Sequence, residues 1–523
     1  MSELFAAKPR LRKVAAAAAF LCLLALIAQP IWEGRHQWHW GQAFDDGVYW
    51  VSAKGLAQGD GYRVISLPGR PYATKYPPLY PLYLSLAWRL QPNFPANLPL
   101  AAALQALLVP IYLAGVMLVL RQLGLSGRRL LLISAMTIVT FEFVRVAITL
   151  YSELLSGCFL FFSILLTESA GRDSGSRRRA AAGGLLAGLA YLTRTAALPL
   201  FAAVPIFFFL KKRPRLTICF FAPLLPIAAG WHAWTAFHSS ALGESTNISY
   251  IAEYLRVIRV TGFWHNLWKQ VGTLSNGSAE TLFPGITGML SGLPLYHLTL
   301  AGAIAGGIRL GRRRGWPLAL IFSSLYLAMI ACWWFDGIFR MMLPVWPFLL
   351  AGISEEASHI ANLLEKDGLR GPVVRWAMVA MGLIVILHNE LSVRYRIAAM
   401  VSQERQLRLA DRPALRWIAR HASPDEVVLA WKDSVSFLYT GVPSSHALFV
   451  SYTPEPEDIK ALGGSPAALP ARYRQALLLV LASDLGDGYR GFDTFRAAAA
   501  KIPGAELKYS SDAALIYGFP LPR

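Results

Sequence analysis

The stretch FDDGVYWVSAKGLAQGDGYR at residues 44–63, followed by TKYPPLYPLYL at 74–84, sets two adjacent carboxylates, Asp45 and Asp46, just after an apolar N-terminal segment. Acid is scarce in this 523-residue chain: 31 Asp and Glu stand against 50 Lys and Arg, for a net charge of +19. Hydrophobic residues make up 55% and charged residues 15%. With a mean hydropathy of +0.42, the composition is that of a membrane protein rather than a soluble domain. Ionisable residues beside such segments are costly, so each needs a reason.

Apolar runs approaching the ~20 residues needed to cross a bilayer recur over the first three quarters of the chain. We expect about eleven transmembrane helices, near 14-32, 97-119, 129-146, 152-168, 180-194, 196-210, 216-237, 286-308, 316-335, 341-362 and 372-389. With a cytoplasmic N-terminus, the stretches KPRLRK, GRDSGSRRR, KKRPR, GRRRG and EKDGLRG and the segment 121–129 all fall on one side. That matches the positive-inside rule and accounts for the basic surplus without nucleic acid. The opposite face receives the first loop (about 33-96), the turns at 151–153, 193–195 and 336–340, the loop at about 239-285, and everything after about 390. In the first loop, YPPLYPLYLSLAWRL is too short and too proline-rich at its start to span, and is expected along the interface. GLLAG at 184–188 places small residues four apart, a pattern that permits close helix packing.

The chain divides into a transmembrane part, 1–390, and a tail, 391–523. In the tail, RPALRWIARHASPDEVVLAWKDSVSFLY reads as helix, turn, buried strand and short helix, RYRQALLLVLASD as an apolar strand, and the remainder as a helix and two strands. A small α/β domain on the outer face is expected. Cys22, Cys158, Cys219 and Cys332 all sit in apolar runs without pairing or metal spacing. His36 and His39 lie three apart with no third ligand evident, and no Walker loop, dinucleotide fingerprint or H-E-x-x-H motif occurs.

The polar residues that carry weight all thread to the outer face. Asp45 reads either as a general base or orienting carboxylate, or as the cap of the short helix that follows; one cap does not require two acids. Lys75 precedes Pro77 and Pro78, which fix the backbone beyond it, and otherwise reads as a snorkelling lysine. Arg194, inside AYLTRTAALPL, has the chemistry to hold a phosphate through forked bonds, or to pair with Glu153 or Asp336. Arg340 has Asp336 four residues away and carries the same two readings. Glu153 opens a span, where an acid suits the helix dipole with Ser152 as cap, or positions a substrate hydroxyl.

These motifs resemble the GT-C superfamily of polyprenyl-phosphate-dependent glycosyltransferases, with the bacterial aminoarabinose transferases of lipid A and the protein O-mannosyltransferases as the nearest look-alikes. The resemblance rests on DDGVYWVSAKGLAQGDGY and on G-x-P-x-x-x-K-Y-P-P-L-Y, and more loosely on L-T-[KR] and R-x-x-L-P. It implies a polytopic helical fold with a C-terminal periplasmic domain in a bacterial inner membrane. It implies Asp45 as catalytic carboxylate, Asp46 and Glu153 in support, Lys75, Arg194 and Arg340 on the donor phosphate, and Tyr49 and Tyr76 positioning substrate. The partners implied are a polyprenyl-phosphate-linked sugar, a glycan, lipid or protein acceptor, and membrane lipids. Where the family often has Asp-Glu this chain has Asp-Asp, and it has no D-x-D; no metal ligand is assigned, and a divalent ion as cofactor is left open. A transporter or flippase of a lipid-linked glycan, or a non-catalytic assembly subunit, is the alternative reading.

Overall fold

A computed structural model describes residues 9–35, 45–172, 176–238, 250–282, 295–333, 339–366, 371–446, 470, 472–484, 492–500 and 502–521. His36, His39 and Asp336 lie outside these residues. The helices are α1 (Pro9–Gly34), α2 (Asp45–Gln58), α3 (Leu79–Leu90), α4 (Leu98–Gln122), α5 (Gly127–Ile138), α6 (Phe141–Ile148), α7 (Glu153–Arg172), α8 (Arg177–Thr193) and α9 (Leu200–Leu210). They continue with α10 (Arg215–His238), α11 (Tyr250–Thr261), α12 (Phe263–Leu282), α13 (Leu295–Arg314), α14 (Leu318–Ala331), α15 (Trp346–Lys366), α16 (Gly371–His421), α17 (Asp433–Thr440) and α18 (Asp493–Ala499).

The expected spans overlap these helices, with 129-146 divided between α5 and α6 and the start of 286-308 outside the described residues, but among the described residues only five helices are long and apolar enough to cross a membrane unaided, or six if α5 and α6, bent by 59° at their junction, count as one. Of the others, α13 and α15 have the length, at 20 and 21 residues, but not the apolar composition, and α8, α9 and α14 are shorter. At the α5–α6 bend the Thr140 hydroxyl caps α6 by accepting from the Phe143 amide at 3.2 Å. Proline inside α4 and α10 is compatible with a membrane helix whose neighbours satisfy the freed carbonyls. Close crossings are made by glycine. A Cβ built on Gly184 of α8 would stand 1.8 Å from the Phe220 carbonyl oxygen of α10, and one on Gly306 of α13 would stand 1.9 Å from the Gly352 carbonyl oxygen of α15.

The first loop is a folded layer of α2 and α3, tied by the Trp88 indole donating to the Trp50 carbonyl at 3.1 Å and by the contact of those two rings, tilted by 36° with centroids 4.8 Å apart. It is anchored below by Tyr80, whose hydroxyl donates to Gln105 Oε1 at 2.9 Å; Gln105 Nε2 in turn donates to the carbonyls of Val146 and Tyr151. One side chain of α4 thus fixes the loop to the start of α7.

α16 runs unbroken across residue 390 to His421, so the tail is mounted on a continuous helix. The tail sheet has β1 (Glu426–Ala430), β2 (Ser444–His446), β3 (Gln475–Leu481), β4 (Glu506–Ser510) and β5 (Ala514–Pro520) in the order β2-β1-β3-β5-β4. β1 is parallel to β2 and β3, while β5 is antiparallel to β3 and β4. Alternation decides the layers: Val428, Leu477, Leu479 and Ile516 face Ala414, Leu415 and Ile418 of α16. Val427, Leu478, Val480 and Leu515 face Phe492 and Phe495 at α18. β2 was not among the strands expected from sequence, because Ser-Ser-His offers no apolar alternation.

Candidate active site

α2 begins at the two acids, and its first turn separates them. Asp46 is wholly buried and accepts from the Gly47 amide at 2.9 Å, within the helix N-terminus. Asp45 points elsewhere: its carboxylate accepts from the Tyr76 hydroxyl at 2.5 Å and from the Arg340 guanidinium. Burial would push the Asp45 carboxyl up, but Arg340, the Tyr76 hydroxyl and Arg194 outweigh it and hold the pKa below the ordinary carboxylate value.

Arg340 opens a 3-10 turn, Arg340–Met342, that precedes α15. Two tyrosines hold the turn by its backbone: Tyr326 donates to the Met341 carbonyl and Tyr112 to the Leu343 carbonyl, each at 2.8 Å. The guanidinium lies 4.4 Å over the Tyr151 ring and reaches Glu153 at 3.5 Å. Beyond it, Arg145 donates to the Tyr151 hydroxyl at 3.2 Å and pairs with Glu142.

Arg194 leaves the end of α8 in an extended conformation and pairs with Glu153 at 3.1 Å, also reaching the Ser152 hydroxyl at 3.4 Å. Ser152 meets the Tyr49 hydroxyl at 3.1 Å. Asp45, Glu153, Arg194, Arg340, Tyr49 and Tyr76 are therefore one contiguous network. Both Glu153 oxygens are buried without a hydrogen bond among the described residues, held by charge alone, so this carboxylate retains accepting capacity.

Beside the network lies a cavity of about 450 Å3. Lys75, Thr74, Arg194, Tyr49 and Tyr76 form its polar side, and Trp231, Tyr254, Tyr326, Ile330 and Trp333 its apolar side. Lys75 and Arg194 line it directly, whereas Asp45, Asp46, Glu153 and Arg340 are not among the lining residues. His232, which sequence reasoning did not single out, lines the cavity with its Nε2 2.9 Å from the Tyr191 hydroxyl. Ser152, Tyr112 and Tyr326 were not assigned these roles from sequence either. Ser152 reads from sequence as a cap, and the two tyrosines act on backbone carbonyls distant in sequence, for which no local pattern exists. Among the described residues no group of three His, Cys, Asp or Glu side chains could hold a metal ion.

No protein-family model matches the chain, and a comparison with curated proteins gives no match. Solved structures do resemble it. ArnT from Cupriavidus metallidurans bound to undecaprenyl phosphate is 12% identical over 98% of this chain and 98% of that one, with a TM-score of 0.55. The apo state of the same protein matches at 12% identity over 96% of this chain and 98% of that one, with a TM-score of 0.53. The oligosaccharyltransferase of Archaeoglobus fulgidus in complex with Zn and sulfate is 13% identical over 96% of this chain and 72% of that one, with a TM-score of 0.51. Near-complete coverage of this chain at such low identity is a likeness of fold, and this chain shares its fold with these structures.

Proposed function

We propose that this protein is a membrane glycosyltransferase that moves one sugar from a polyprenyl-phosphate carrier to an acceptor hydroxyl, with inversion, at the periplasmic face of a bacterial inner membrane. In this reading residues 1–390 carry catalysis, and residues 391–523 form a domain on the same outer side. The observation that carries it is the abutment of a buried carboxylate network on a cavity with two cations on one wall and aromatic and aliphatic side chains on the other.

The chemistry follows from those positions. Lys75 and Arg194 bind the donor phosphate, and in a site of low dielectric they stabilise the charge that grows as the anomeric carbon–oxygen bond breaks. The apolar wall receives the first isoprene units. Arg340, held between Asp45 and Glu153, adds positive potential and fixes the orientation of Asp45. A carboxylate of lowered pKa is a weak base towards a free alcohol. Asp45 therefore orients the acceptor hydroxyl first, and takes its proton only as the new carbon–oxygen bond makes that hydroxyl acidic. Glu153 has accepting capacity for a second hydroxyl. Tyr76 holds Asp45, and Tyr49 spans to Ser152, so both tyrosines position rather than transfer. One carboxylate acting by direct displacement inverts the anomeric centre, by analogy with glycoside hydrolysis.

The test is reconstitution in liposomes with a polyprenyl-phosphate sugar and a candidate acceptor. Release of polyprenyl phosphate is expected, and Asp45→Asn should lower its rate by about 10²–10⁴-fold, the span of general acid–base assistance. An undiminished rate in Asp45→Asn at equal protein level would remove Asp45 from the chemistry. Translocation of the intact donor without cleavage would make the protein a flippase.

A further inference from the structure

The loop between α10 and α13 contains α11 and α12, joined at Gly262, whose φ of +82° turns one helix into the next. The first half of α12 buries amides and exposes indoles, with His265 and Lys269 exposed beside them, while its second half also buries Leu274, Ala279 and Leu282. Asn266, Gln270, Ser275 and Ser278 are at most 3% exposed, while Trp264 and Trp268 are 70% and 71% exposed. Two residues along a helix is a rotation of about 200°, so the two tryptophans lie opposite Asn266 and Gln270. The buried polar face is engaged with protein: Ser275 meets His297 of α13 at 3.2 Å, Asn266 Nδ2 donates to the Gly262 carbonyl at 3.0 Å, and Asn389 of α16 donates to the Leu282 carbonyl at 2.8 Å. On α11, Val260 is 83% exposed and Leu255 is exposed as well.

A helix bathed in water would show the amides and hide the indoles. The reverse arrangement fits a surface that meets lipid, where tryptophan concentrates at the headgroup boundary. Large apolar side chains are exposed on other helices as well: Leu298 and Ile304 on α13, which packs against α12, and Phe237 on α10. α12 is not among the helices apolar enough to cross a membrane. From α11, Tyr254 reaches the wall of the cavity, which Trp333 and Cys332 also line.

We propose that α11 and α12 lie in the membrane interface with Val260, Trp264 and Trp268 in lipid, and that Tyr254 thereby forms a lipid-side wall past which the polyprenyl chain of the donor reaches the cavity. The seating in lipid stands on the geometry alone; the path of the polyprenyl chain rests on the proposed transferase function. The partner is a bilayer surface, engaged through indole and aliphatic side chains.

The test uses the full chain in liposomes of phosphatidylcholine brominated either just below the headgroups or near the chain ends, comparing the wild type with Trp264→Phe/Trp268→Phe. The fluorescence lost in the double variant is expected to be the part quenched by shallow bromines, and less by deep ones. If that part is unquenched by either lipid, or if the double substitution dissociates a dimer, the indoles face water or a second copy and the seating is overturned. Trp268→Glu should raise KM for a long-chain donor and leave the rate with a short-chain, water-soluble donor unchanged; equal effects on both donors would overturn the path. If the wild type transfers no sugar while the shallow bromines quench as expected, the proposed function fails and the seating stands.

Discussion

At the scale of single residues, the decisive contact is the one between Asp45 and Arg340. It helps hold the pKa of the carboxyl below the ordinary carboxylate value, so Asp45 is charged at neutral pH. Removing the guanidinium takes that support away. Arg340→Gln is therefore expected to move the acid limb of the pH–rate profile to higher pH and to lower the plateau, while Arg340→Lys, which keeps a charge without the fork, moves it less. A profile that merely drops without shifting would mean that Arg340 does not set the ionisation of Asp45. The residue types at this site were legible in the sequence because an acid or a lone arginine in an apolar chain stands out. Which oxygen meets which cation was not legible, since Arg340 is brought to Asp45 by a turn held through Tyr112 and Tyr326, and both tyrosines act through backbone. Nor does the sequence reveal that Asp45 and Arg340 stand apart from the cavity lining while Lys75 and Arg194 form part of it.

At the scale of elements, the crossings of the helices depend on missing side chains. Gly184→Val places carbon where the Phe220 carbonyl already stands, and overpacking of that kind costs about 1–3 kcal/mol or more. Its thermal midpoint in detergent should fall clearly below that of the wild type. Gly230→Ala is the control: its added carbon meets nothing within 4 Å, and in the interior of α10 it should be neutral or stabilising. A Gly184→Val midpoint equal to that of the control would mean that α8 and α10 are not in close contact. The pattern GLLAG announced this approach, since small residues four apart share a helix face. The tail strands β1, β3 and β5 were equally plain as apolar runs, whereas β2 was not, because three polar residues form a strand only when a neighbouring strand and a loop supply the pairing. The polarity of α12 was invisible for a related reason: sequence periodicity tells that a helix has two faces, not which one meets the protein.

At the scale of the whole molecule, the tail and the first loop are joined through buried polar groups. Asp433 at the start of α17 is almost wholly buried with the Ser66 hydroxyl alongside, and burial pushes its carboxyl up to about 7 despite the amides that favour its charge. A raised folded pKa means that the native state binds more protons than the unfolded chain. The stabilising contribution is full below the unfolded value near 3.8 and is lost as the pH climbs through about 7. At about 1.4 kcal/mol per pKa unit, the span amounts to a few kcal/mol. Asp433→Asn, which mimics the protonated acid, should raise the thermal midpoint at pH 8 and raise it less at pH 5, checked by unfolding scans across that range. An equal change at both pH values would mean that Asp433 does not titrate with folding.

The backbone bond from the Ser444 amide to the Ser66 carbonyl, at 2.8 Å, has a meaning for the sheet as well as for the loop. β2 is an edge strand, and an uncovered edge is a template for pairing with foreign strands. Here the first loop takes one hydrogen bond of that edge, so the segment that begins with the acid pair also occupies part of the margin at which a foreign strand would pair. A tail domain excised from its host chain would lose that bond and leave the Ser444 amide to another acceptor.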